Sequence, residues 1–244
     1  MKTMTIDIET NTAWDTIWCC GLHNVDTDHT KVVDNPIALQ ELLRDVDTVV
    51  TYNGIAFDIP LLERIWNISF NGIEVIDALV MSRLYDPSLS GGHSLRSWGD
   101  RLNWPKGDFT DYDGGLCDEM LDYCERDCRL TTKVWKELQN RLKLEGFTTE
   151  CVALEHRVAI ELAKQESNGF KLDIHFANKL YSKVNTRMRE LEAELQQLFP
   201  PIITERWSEK TGKRLKDGVE EFNVGSRQQI VKRLQSVGVK FKQK

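Results

Sequence analysis

Over residues 3–10 apolar and polar positions alternate: Met4, Ile6 and Ile8 fall on one side of an extended segment, and Thr5, Asp7 and Glu9 on the other. This predicts a strand with one face buried. Ile17 to Val25 reads as a second strand and Lys31 to Asp34 as a third. The turn sequence Asp26-Thr27-Asp28-His29 lies between them, so three antiparallel strands in a meander are expected. Pro36 opens a helix that carries Leu39, Leu42 and Leu43 on one face. Val46 to Tyr52 is rich in β-branched residues and predicts a buried strand that ends at Asn53-Gly54. A helix over 57–66, a short strand over 74–77, a short helix over 78–85 and a helix around Leu95, Trp98, Gly99 and Leu102 follow. Residues 104–115 are rich in Asp, Gly, Pro and Lys and predict a mobile surface loop. A long helix over 116–144 stops at Gly146.

Strands that first meander and then interleave with helices predict an α/β domain with a mixed sheet flanked by helices, over residues 1–148. Residues 149–244 read as a helical extension. A helix over 151–168 ends at Asn168-Gly169, and a second over 176–199 keeps a stripe of Leu180, Val184, Leu191, Leu195 and Leu198 until Pro200-Pro201. Residues 202–221 have little periodicity, and Ser226 caps a last helix through Leu234.

Composition narrows the class. The 244 residues are 41% hydrophobic and 29% charged, which suits a globular chain with a sizeable core. No apolar run reaches membrane-spanning length and no leader is legible, so no membrane partner is expected. The cysteines are Cys19, Cys20, Cys117, Cys124, Cys128 and Cys151. They form no C-x-x-C pair, no histidine pair completes a zinc pattern, and reduced thiols in an intracellular protein are expected. The net charge of −6 argues against wholesale wrapping of nucleic acid. It leaves a nuclease open, because metals offset a carboxylate site locally.

The chemistry lies in the acids. Two residues of strand rise put the Asp7 and Glu9 carboxylates roughly 6–7 Å apart on one face. Such a pair either decorates an exposed strand or holds a divalent ion through hard oxygen ligands. Asp58 sits where the strand before Asn53 gives way to a helix; it either favours that helix start electrostatically or joins a site at the strand end. Tyr123 and Asp127 are one helical turn apart and share a face. They read either as a core tyrosine and a solvated acid beside Arg126 and Arg129, or as further members of the site.

Together, Asp7-x-Glu9, Asn53-Gly54-x-x-Phe57-Asp58 and Tyr123-x-x-x-Asp127 resemble the three motifs of the DEDDy 3′–5′ exonucleases. The residues Asp77-Ala78-Leu79-Val80-Met81-Ser82-Arg83-Leu84 and His93-Ser94-Leu95-x-x-Trp98-Gly99-x-Arg101-Leu102 resemble the proofreading domain of T7-like phage DNA polymerases of family A. So do Leu154-Glu155-His156-Arg157 through Asp173, and Glu221 through Ile230, which look like the start of that polymerase's thumb. The resemblance implies a ribonuclease-H-like fold. It implies two Mg²⁺ or Mn²⁺ ions held by Asp7, Glu9, Asp58 and Asp127, and a Tyr123 that orients the attacking water. Thr10, Asn53 and Phe57 would meet the terminal nucleotides of a single-stranded or frayed DNA 3′ end. The implied activity is metal-dependent 3′–5′ exonucleolysis in proofreading, in a phage host's cytoplasm. An exoribonuclease of the same superfamily and a non-catalytic subunit that scaffolds a polymerase are the alternatives. Palm and fingers would lie beyond Lys244, so either the chain is truncated or a separate polymerase chain supplies them. The basic residues Lys232, Arg233, Lys240, Lys242 and Lys244 read equally as phosphate contacts or as a solvated surface.

Overall fold

The computed structural model describes residues 2–241. Its packing divides the chain into two compact units, Met1–Gly169 and Phe170–Lys244. In the first, strands Thr3–Thr10 (β1), Ile17–Asn24 (β2) and His29–Val33 (β3) precede helix Pro36–Leu43 (α1) and strand Thr48–Thr51 (β4). Helix Asp58–Trp66 (α2), strand Glu74–Asp77 (β5) and helices Ala78–Tyr85 (α3), Leu95–Arg101 (α4), Asp118–Leu144 (α5) and Thr149–Asn168 (α6) complete it. The sheet order is β3-β2-β1-β4-β5. The meander is antiparallel, and β4 and β5 join β1 in parallel, which makes the sheet mixed as expected.

β1 is the central strand, and both of its faces are covered. Met4, Ile6 and Ile8 pack with Leu39, Leu43, Leu61 and Leu62 of α1 and α2. The face expected to meet solvent instead lies under α5. Thr5 and Glu9 are buried there, and the Thr5 and Thr132 hydroxyls share a hydrogen bond of 2.7 Å. The alternation marked two chemically different surroundings, one apolar and one polar, rather than inside and outside. The approach of α5 requires a glycine beneath it. A Cβ on Gly21, opposite Asp7 in the ladder, would lie 2.6 Å from Cys128 Sγ and 3.0 Å from Cys124 Sγ. Cys124 and Cys128 are therefore packing residues, and all six cysteines are free.

The second unit holds helix Ile174–Leu198 (α7), strands Ile202–Thr204 (β6) and Gly218–Glu220 (β7), and helix Arg227–Ser236 (α8). The antiparallel pair β6–β7 lies in the stretch that shows no periodicity, because three-residue strands are too short to display one. Arg233 is buried; its guanidinium donates to the Pro200 and Glu220 carbonyls and lies 5.6 Å from the Phe222 ring centre. Lys232 pairs with Glu220 at 3.0 Å. Arg233 is thus engaged in the interior of the unit, whereas Lys232 forms an exposed ion pair. Lys242 and Lys244 lie outside the described residues. Among the described residues no helix is long and apolar enough to cross a membrane.

Candidate active site

Three elements bring the acids together. β1 carries Asp7 and Glu9 toward α5, where Tyr123 and Asp127 stand one turn apart, and Asp58 is the first residue of α2. Asp58 Oδ1 accepts a hydrogen bond of 3.1 Å from the Ile8 amide, between the two β1 acids. Asp58, Glu9 and Asp127 are buried; Asp7 is half-buried. The ligand atoms of Asp7, Glu9 and the neighbouring Cys124 lie within 4.8 Å of one another. The Cys124 thiol also donates to the Asp7 carbonyl at 3.5 Å.

Electrostatics mark the cluster as a place for cations. Burial pushes the Asp7 carboxyl well above its ordinary range, and the charges of Asp127, Glu9 and Asp58 push it further. Glu9 is raised to about 8 by burial and then by Asp127. Asp58 is raised to about 7, again by burial first, with the Ile8 hydrogen bond opposing. Asp127 is raised by burial, against the pull of Lys106. Burial also raises Tyr123, with the charge of Asp127 adding to it, so its hydroxyl stays protonated. One oxygen, Asp127 Oδ1, is buried with no hydrogen-bond partner among the described residues. A buried carboxylate oxygen without a partner, whose charge acts on Asp7 and Glu9, fits a divalent-ion ligand, and carboxylate oxygens suit Mg²⁺ or Mn²⁺.

The residues expected to meet a strand end lie around this cluster. Thr10 is buried at the irregularity that ends β1, with its hydroxyl donating to the Asn11 carbonyl at 3.1 Å. Asn53 is exposed and in the left-handed backbone region, φ 67°, which asparagine tolerates better than most residues. Phe57 is half-buried, and Trp14 meets it edge-on with ring centres 5.6 Å apart.

Several residues near the acids were given no role of their own by the sequence. Trp14 is 58% exposed beside Phe57 and held by Arg64, which donates to its carbonyl. Asp77 orders the Asn53 turn: its carboxylate accepts from the amides of Asn53, Ile55 and Leu79 at 2.8, 3.1 and 2.9 Å. The Asp77 amide donates to His156 Nε2 at 2.8 Å, so the ring proton sits on Nδ1, which donates to the Val152 carbonyl. The sequence signal available for this was the strand-to-helix position of Asp77. Lys106 is the third omission: its Nζ lies 2.6 Å from Asp127 Oδ2 and 5.0 Å from the Tyr123 ring centre. The 104–115 segment is an irregular surface loop, as expected, and it makes several contacts with the rest of the unit. Trp18 Nε1 donates to the Tyr112 carbonyl, Thr12 bonds Asp113, and Phe109 packs on Tyr123.

Comparison with known proteins fits this geometry. The RNase_H_2 family model, of the RNase_H superfamily, matches residues 4–95, the sheet and its first helices. The first unit has a ribonuclease-H-like fold. Among curated relatives, the DNA-directed DNA polymerase of Escherichia phage T7 is 29% identical over 206 residues, 62% of this chain and 29% of that protein. The DNA-directed DNA polymerase of Enterobacteria phage T3 is 28% identical over 217 residues, 66% of this chain and 31% of that protein. The chain therefore spans about a third of the length of these relatives. Solved structures share the ribonuclease-H-like fold. Brucella melitensis NrnC with bound Mg²⁺ aligns with a TM-score of 0.55 at 20% identity, over 70% of this chain and 89% of that one. Escherichia coli RNase D, an exoribonuclease involved in structured RNA processing, aligns with a TM-score of 0.51 at 15% identity, over 67% and 45%.

Proposed function

We propose that this chain is a metal-dependent 3′–5′ exonuclease that removes nucleoside monophosphates from single-stranded or frayed DNA ends, the proofreading part of a phage-type polymerase. The observation that carries this reading is the convergence of Asp7, Glu9, Asp58 and Asp127 on one buried spot, with Asp127 Oδ1 left without a partner. Two divalent ions bound there would lower the pKa of a water that becomes the nucleophile and stabilise the leaving 3′ oxygen. The four acids would hold the ions, and the protonated Tyr123 hydroxyl would orient the attacking water. The turn at Asn53 and the Phe57–Trp14 pair receive the terminal bases by stacking, which tolerates any sequence. The backbone after Glu9, bent at Thr10, meets the 3′ end.

The T7 and T3 relatives, both DNA-directed DNA polymerases, favour DNA over RNA as substrate. In this reading the first 148 residues supply the nuclease and residues 149–244 form the start of a thumb. A separate or continuing polymerase segment supplies nucleotide transfer. Matched 5′-labelled DNA and RNA oligonucleotides, digested side by side with Mg²⁺, test the substrate class. Faster shortening of DNA from the 3′ end is expected. Faster digestion of RNA would overturn the proofreading role and favour an exoribonuclease.

A further inference from the structure

Lys106 belongs to none of the motifs that define the acidic cluster, yet its ammonium is closer to a catalytic carboxylate than any other cationic group among the described residues. Its position is built. On one side, Arg126 Nε and Nη2 both donate to the Pro105 carbonyl, at 2.9 and 2.6 Å. On the other, Arg96 donates to the Gly107 carbonyl and pairs with Asp108 at 2.6 Å. Gly107 itself lies against Tyr123; a Cβ there would be 3.3 Å from the ring. The lysine is thus held between two arginine clamps, and its side chain is only 22% exposed. A surface lysine would wander and contribute little. A largely buried one needs a partner, and Asp127 is that partner.

Resting on the proposed metal-dependent reading of the carboxylates, we infer that Lys106 is a resident cation of the active site. It holds Asp127 Oδ2 and competes electrostatically with a divalent ion for that carboxylate. A unit charge this close to a carboxylate opposes a second cation strongly where water is scarce. The competition sets a threshold: the site fills only where divalent ions are concentrated enough to displace the ammonium. The second Asp127 oxygen, buried and without a hydrogen-bond partner among the described residues, is the one left for the ion.

The test is Mn²⁺ binding by the full chain, measured by titration calorimetry for the parent, Lys106→Met, Lys106→Arg and Asp7→Ala, with circular dichroism to establish folding. Lys106→Met should bind Mn²⁺ about tenfold or more tighter than the parent, and Lys106→Arg should stay near the parent. A merely structural lysine would leave affinity unchanged or weaken it. If Lys106→Met binds no tighter while Asp7→Ala loses binding, the carboxylate site stands and the competition is overturned. If neither the parent nor Lys106→Met binds Mn²⁺, the metal-site reading falls and takes the competition with it.

Discussion

At the residue scale burial and mutual repulsion disfavour the charged form of the acids, and either protons or a bound cation relieve it. Asp58 and Glu9 titrate at about 7 and about 8 in the fold, against ordinary values near 4. Such a carboxyl is favoured protonated by the folded state. Its contribution to stability is complete below the unfolded value and is lost as pH rises through the folded one. The melting temperature of the chain in EDTA should therefore fall between about pH 5 and about pH 8.5. Mg²⁺ or Mn²⁺ at the upper pH should restore it, because ions that bind only the folded form stabilise it. A melting temperature flat or rising over that interval would mean that the four acids do not share one desolvated site.

The same scale shows what could be read ahead of the fold. Asp7 and Glu9 were legible because a strand has a period of two, and Tyr123 and Asp127 because a helical turn is about four residues. Lys106 was not. It reaches Asp127 across a loop without periodicity, held by contacts to residues 96 and 126 that no local pattern encodes. Trp14 and His156 escaped for the same reason: their partners, Phe57 and Asp77, are remote in sequence.

At the scale of elements, the junctions at the ends of β1, β4 and β5 do the positioning. β4 ends at the turn that carries Asn53, and that turn hangs from the Asp77 carboxylate at the end of β5. Asp77 is in turn fixed from α6 through His156. Asp77→Ala leaves three amides to find other partners, each worth about 1–3 kcal/mol when buried and unpaired. Thermal unfolding should show a loss of several kcal/mol, or, where the fold survives, a raised KM for single-stranded DNA with Mn²⁺ affinity little changed. Unaltered stability and KM would remove Asp77 from the positioning of the turn. The mixed sheet and its helices were legible because nearly every element is long enough to show its period. The β6–β7 pair was missed because its strands are three residues long. The covering of the acidic face of β1 was missed because only a long-range helix, α5, supplies the cover.

At the scale of the molecule, the first unit holds every member of the acidic cluster, and the second exposes much of its apolar surface. Among the described residues of α7 none is buried, and Leu180, Val184, Met188 and Leu191 are each at least 41% exposed. A stripe of this size marks an interaction surface more often than a monomer's ordinary exterior. It fits the proposal that polymerase segments, in the same or another chain, pack on residues 149–244. The nuclease activity proposed for the first unit is tested most directly by digestion. A 5′-labelled single-stranded DNA oligonucleotide is incubated with the chain and with Asp7→Ala, each with and without Mg²⁺ or Mn²⁺. A ladder shortening from the 3′ end that requires the metal, and that slows by several orders of magnitude in the folded variant, is the predicted result. Digestion by Asp7→Ala at the parent's rate would contradict it.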